Sequence, residues 1–139
     1  MKPFPVKSDK LDVRGFDNRQ VVKIAQDFFK ALMHKTKRQL YIRSAYFGKK
    51  KIFFTYFWKH LYQKSPRQRR IRIVYLPCAI ELIQKCRNAP DSMINTSKEI
   101  EMFHRFTGIT KEKELFYVQI KENIKTDRKE FMSVFPAKG

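Results

Sequence analysis

Acidic residues are scarce where cations are dense: residues 35–87 hold fifteen Lys or Arg and a single acid, Glu81. Hard divalent cations need clustered Asp and Glu ligands, so a two-metal nuclease site is not supported ahead of the C-terminal strands. Cysteine is scarcer still. Cys78 and Cys86 stand eight apart with no C-x-x-C or His-Cys pattern, which gives no support to a zinc site or a thioredoxin-like motif. Buried free thiols in a reducing compartment are the expected state. No apolar run approaches the roughly 20 residues that a membrane span requires. The first residues (MKPFPVKSDK) lack the apolar centre of a secretion signal, so a cytoplasmic protein without membrane contact is expected. Internal repeats and low-complexity segments are absent as well.

What is present suffices for one folded domain. A chain of 139 residues, 42% hydrophobic and 14% aromatic, builds one core but not two, and its apolar content sets it apart from disordered chains despite the charge. Residues 1–139 therefore read as a single domain, with an irregular arm over 1–16, an N-terminal helix and strand over 17–51, and the main core over 52–139. The net charge of +18, from 31 Lys and Arg against 13 Asp and Glu, points to a polyanionic partner. Nucleic acid fits better than a membrane surface, because Lys49, Lys50, Lys51, Arg67, Arg69, Arg70 and Arg72 are interleaved with Tyr46, Phe47, Tyr56, Trp58 and Tyr62. Such a mixture holds phosphates and stacks on bases. Lys64 belongs to the same basic set. The competing reading is a solvated basic surface that serves solubility, although solubilising charge normally mixes both signs.

Periodicity outlines the elements. Asp17 or Asn18 caps a helix reaching to about residue 34, on which Val21, Ile24, Ala25, Phe28, Phe29 and Leu32 repeat at helical spacing. Residues 39–47 form a strand, the basic turn at 48–51 leads to an extended piece over 52–54, and Thr55 caps a helix over 56–63. On that helix Phe57 with Leu61 makes one buried row and Trp58 with Tyr62 another, with His60 pointing away from both. Residues 67–74 fit either a strand or a helix lead-in. Pro77 opens a further helix to residue 87, and residues 92–98 form a polar loop. Three aromatic and β-branched runs, 100–106, 114–121 and 130–135, are separated by short polar turns and predict an antiparallel meander. In its middle run Phe116, Val118 and Ile120 face the core, while Tyr117, Gln119 and Lys121 take the other side. The expected fold is α+β, with N-terminal helices packed on a small antiparallel β-sheet that ends in the meander.

Chemistry without a metal or cofactor remains open to such a chain. In RNA cleavage the 2′-hydroxyl is the nucleophile, a His or Glu moves protons, and Arg or Lys neutralises the developing phosphorane. His60, Arg105, Lys121 and Ser133 are the candidates for one such site, with His104 a further proton carrier. Each has a plainer reading: His60 as a helix-surface histidine, Arg105 as a strand residue paired with Glu101, Ser133 as a packing serine, Tyr117 as half-buried core. His104 and Arg105 are adjacent on a strand, so they face opposite ways and one of them is structural.

A resemblance then enters from motif order. FFTYFWKHL at 53–61, KSP at 64–66, a helix closing at NAPD over 88–91, strands containing HR at 104–105 and FYV at 116–118, and SVFP at 133–136 follow one another as in the phage and mobile-element toxin nucleases of the barnase-EndoU-colicin-RelE superfamily. The likeness covers residues 52–136. It implies a ribonuclease core with helices on one face of a small sheet and RNA on the other. By position, His60 matches the helix histidine of those domains, Arg105 the strand arginine and Ser133 the hydroxyl residue of the last strand. Ser65 stands where relatives often carry a second histidine, and Ser133 replaces a threonine. The implied activity is metal-independent endoribonuclease cleavage of tRNA, mRNA or ribosome-bound RNA, held in check by an acidic antitoxin or immunity protein. The basic residues would hold the backbone and Tyr117 would position substrate. The rival is a non-catalytic nucleic-acid-binding accessory protein of a mobile element.

Overall fold

The computed structural model describes residues 2–32, 34–36, 39–95 and 100–137. In chain order the elements are β1 (Phe4–Pro5), α1 (Asn18–Leu32), β2 (His34–Thr36), β3 (Gln39–Ser44), β4 (Lys50–Phe53), α2 (Thr55–Tyr62), α3 (Pro66–Val74), α4 (Leu76–Lys85), β5 (Asp91–Asn95), β6 (Glu101–Ile109), β7 (Leu115–Asn123) and β8 (Lys129–Pro136). The strands form one sheet in the order β1-β6-β7-β8-β4-β3-β2, with β5 also lying on β6. No helix among the described residues is long and apolar enough to cross a membrane.

This sheet is neither small nor purely antiparallel, which corrects the fold expected from the sequence. The meander β6-β7-β8 is present and antiparallel, but β1 joins β6 in parallel and β4 joins β8 in parallel. The parallel pairings are short and non-local, so no turn signal announces them. Long connections containing helices and further strands join the parallel partners. The arm over 1–16 is not wholly irregular either: Phe4 and Pro5 pair with Gly108 and Ile109, and Val6 and Val13 are buried. Residues 92–95, expected within a polar loop, join Asp91 in β5 against residues 101–105 of β6, while residues 96–98 of that loop lie outside the described residues.

Local chemistry sets the helix starts. The Asp17 carboxylate accepts from the Gln20 backbone N–H at 2.8 Å and the Gln20 side-chain oxygen accepts from the Asp17 N–H at 2.9 Å, a reciprocal cap on α1. The ambiguous stretch 67–74 is helical because Ser65 caps it, accepting from the Gln68 N–H, and Pro66 occupies the first turn. Helix α2 has Phe54 at its cap position with no side-chain bond, so Thr55 begins the helix rather than capping it.

One sheet face carries the core. Phe116, Val118, Ile120, Phe131 and Val134 are buried there against Phe57 and Leu61 of α2 and Leu76, Leu82 and Ile83 of α4. Phe57 stacks on Phe131 at 4.7 Å, and Phe54 meets the same ring at 4.7 Å. The second row expected on α2 is only half there, since Trp58 packs on Phe29 at 5.5 Å but Tyr62 is 50% exposed. Both cysteines are buried and unpaired. Burial pushes the Cys78 thiol up to about 12, which leaves it inert as a nucleophile.

Candidate nucleic-acid interface

The position of α2 creates the site. Strand β4 pairs with β8 only at Ile52–Lys129 and Phe53–Glu130, and the chain then leaves the sheet and turns into α2. Helices α2 and α3 pack along the part of β8 that β4 leaves uncovered. They thereby reach round to the sheet face opposite the core. Cross-strand register puts Arg105, Gln119 and Ser133 in one row on that face, with Tyr117 opposite Phe135 and Lys121 opposite Glu130.

Arg72 and Ser133 form the centre of the cluster. The Arg72 Nη1 donates to Ser133 Oγ at 2.5 Å, and the guanidinium lies 5.3 Å from the Phe135 ring. Its Nε is buried and has no acceptor, and no carboxylate pairs with this guanidinium. Burial pulls the Arg72 group below its ordinary value, yet a guanidinium stays charged at any physiological pH. A half-buried cation with no carboxylate partner is able to take an anion at whichever of its donors stays open to solvent.

His60 and Lys121 border it. The His60 ring stacks on Tyr56 at 5.7 Å, and Lys121 Nζ sits 4.2 Å from the centre of the same Tyr56 ring. Burial first, then the positive charges of Lys64 and Arg72, hold the His60 imidazole below its usual 6.5. It is therefore neutral at pH 7 and able to accept a proton. Glu101 lies 3.6 Å from Lys121, so the plainer reading that pairs Glu101 with Arg105 does not hold. Arg105 is instead exposed and lies over the Tyr117 ring at 4.8 Å, and Tyr117 meets Phe135 at 5.6 Å.

The cationic and aromatic pattern continues across the sheet. Lys51 lies over Tyr41 at 4.8 Å, and Arg128 lies over Phe53 at 4.0 Å. Arg43 shares the Tyr41 ring at 5.6 Å. Tyr41 is buried beneath its cations and Phe53 is half-buried, so here the cations lie over the rings and are the groups placed to meet phosphates.

His104 does not join this cluster. It points to the core face, 6% exposed, with Nδ1 2.7 Å from Ser92 Oγ and Nε2 2.9 Å from Glu122 Oε1. Glu122 in turn meets the buried Lys129 at 3.2 Å, and Lys129 meets Asp127 at 2.7 Å. Both ring nitrogens are thus engaged in a network that ties β5, β6, β7 and the turn before β8, and the ring carries no open position for substrate. The alternation along β6 that exposes Arg105 is what buries its neighbour.

Several candidate RNA-binding cations are also committed elsewhere. Lys50 pairs with Asp127 at 2.6 Å, Arg69 donates to the Lys64 carbonyl, and Arg70 donates to the Val13 carbonyl and so anchors the N-terminal arm. Lys49 and Arg67 are exposed away from any partner that defines a site, and Lys64 stays within electrostatic reach of His60. Tyr46 and Phe47, expected as stacking rings, pack instead on Phe106 at 5.5 and 6.1 Å on the core side. Arg72 is the residue whose part the sequence did not reveal. It was one cation among many in a basic run, and only its contact 61 residues away singles it out. Among the described residues no group of three or more His, Cys, Asp or Glu side chains is arranged to hold a metal ion.

No protein-family model, no curated protein and no solved structure matches this chain.

Proposed function

We propose that the protein is an endoribonuclease of the toxin type, acting in the cytoplasm on single-stranded segments of RNA without a metal ion. The observation that carries this reading is the half-buried Arg72 guanidinium, bonded to Ser133 and lacking any carboxylate, beside a histidine that its surroundings keep neutral.

In the proposed step a phosphodiester takes the free donors of Arg72, with Lys121 on its other side. His60 removes the proton of the 2′-hydroxyl, and that oxygen attacks phosphorus. The P–O5′ bond breaks, leaving a 2′,3′-cyclic phosphate, and O5′ takes a proton from solvent across the open face. Arg72 and Lys121 offset the charge that builds on the phosphorane oxygens, a contribution of about 10²–10³ in rate for each well-placed donor. Ser133 positions Arg72 rather than touching the reacting atoms, and Tyr56 orients His60 and Lys121. Arg105 with Tyr117 holds the neighbouring nucleotide. An acidic inhibitor protein would cover the same face in the host.

The alternative, a binding protein without catalysis, draws on the cations and rings that continue well beyond His60 toward Arg128 and Lys51. One experiment separates the two. Purified protein is incubated with labelled RNA in EDTA, and the fragments are examined for 2′,3′-cyclic phosphate and 5′-hydroxyl ends. The nuclease reading expects such ends, with His60→Ala slowed about 10²–10⁴-fold. Binding without fragments, unchanged in His60→Ala, would leave the binding protein.

A further inference from the structure

Beside the Arg72–Ser133 centre, the same sheet face carries a groove of about 370 Å³ that the reaction above does not use. Its apolar lining is Met93, Phe103 and Met132; of its polar groups, Ser92 and His104 bond each other, which leaves Asp91, Arg105 and Gln119. The groove adjoins the proposed cleavage site directly, because Gln119 stands opposite Ser133 on one side and opposite Arg105 on the other. Paired residues on adjacent strands have Cβ atoms about 5 Å apart, so the row from Ser133 to Arg105 spans roughly 10 Å.

Asp91, Arg105 and Gln119 are not spent on one another. Asp91 and Arg105 are direct cross-strand partners of opposite charge, yet they make no ion pair, and Arg105 lies over Tyr117 instead. The Asp91 carboxylate is exposed and is an acceptor only, whereas the Gln119 amide offers both a donor and an acceptor. Apolar walls with a few convergent polar groups are the make-up of a small-molecule subsite, here open toward a backbone-binding centre.

We infer that this groove is a nucleobase subsite that selects a base bearing an exocyclic amino group, on the nucleotide next to the phosphate held by Arg72. The inference rests on the nucleic-acid reading of the face. The ring would lie against Phe103 and the two methionines. Its amino group would donate to Asp91, and its neighbouring ring atom would bond Gln119. Cytosine, adenine and guanine all present an amino group. Uracil presents a single ring N–H between two carbonyl oxygens, and a carboxylate set against that edge meets one of those oxygens. Arg105 supplies a donor for a base carbonyl or for the adjoining phosphate.

The test uses the full chain and 2′-O-methyl oligonucleotides, which lack the nucleophilic hydroxyl and so report recognition apart from cleavage. Fluorescence anisotropy compares a uridine run with the same run carrying one central cytidine, adenosine or guanosine. Base-edge contacts discriminate by about 1–3 kcal/mol, so the substituted runs should bind roughly tenfold more tightly. Asp91→Asn, at an exposed position, should remove most of that preference, chiefly by tightening the uridine run, because the amide can donate to the uracil carbonyl that the carboxylate repels. Gln119→Ala should weaken it. Equal affinity for all runs, a preference that survives Asp91→Asn, or no measurable binding would each overturn the subsite. A preference lost in Asp91→Asn would uphold it even if unmodified RNA were never cut, in which case only the catalytic reading fails.

Discussion

Arg72 shows how much one side chain depends on its setting. Arg72→Ala should lower the cleavage rate about 10²–10³-fold with the fold intact, and Arg72→Lys should restore little, because an ammonium cannot keep Ser133 and also present two parallel donors. A rate within threefold of the parent in single-turnover assays would remove Arg72 from the centre. His60 fixes the pH response. Its imidazole is held below 6.5, so the rate should be flat near neutrality and fall on acidification once the lowered value is crossed; His60→Ala should abolish that limb. The same shift carries a stability sign. Below pH 6.5 the unfolded chain takes up the proton before the native one, so acidification weakens the fold through this group. Gly108 is constrained by packing alone. An added Cβ would lie 2.7 Å from Phe116 Cε1 and 2.9 Å from Leu82 Cδ1, so Gly108→Ala should cost about 1–3 kcal/mol in denaturant unfolding with the outer face undisturbed.

At the level of elements, the turn between β7 and β8 is held by charge. Asp127 has a left-handed backbone, φ 64°, and its carboxylate is drawn from 3.8 down to about 2 by Lys129 and Lys50. The depressed value means that this contribution to stability is complete above pH 4 and disappears as the pH falls toward 2. Exchange of the Asp127 amide, bonded to the Asn123 carbonyl at 2.8 Å, should accelerate over that interval. Lys129→Met leaves Glu122 without its buried cation, and a loss of about 3 kcal/mol in unfolding free energy is expected. The three meander strands were legible from their aromatic and β-branched runs, although residues 107–109 and 123, expected in turns, extend β6 and β7; α1 was legible from its cap and spacing, as was the outward turn of Tyr117 and Lys121. Ser65 and Pro66 carried a readable start signal for α3, which the mixed character of IRIV obscured. Strand β5 was not legible, since residues 91–94 are all exposed and show no alternation, and β1 is two residues long and contains a proline. The partners of Arg72 and Lys129 depend on which strand ends meet, and no local pattern encodes that.

For the molecule as a whole, the +18 charge should govern affinity more than it governs folding. Binding of single-stranded RNA should weaken steeply with salt, and removal of an unpaired groove cation, for example by Lys51→Ala, should reduce the slope of log K against log salt by about 0.7. Lys50→Ala, whose ammonium is already paired with Asp127, should change that slope less. Strand β8 lies between the two halves of the sheet and supplies the hydroxyl that steadies Arg72. During translation His60 and Arg72 leave the ribosome well before residues 129–136, and until those residues arrive the nascent chain has no groove in which to assemble them. The contact between Arg72 and Ser133 can therefore form only after the last strand has been made, by topology alone.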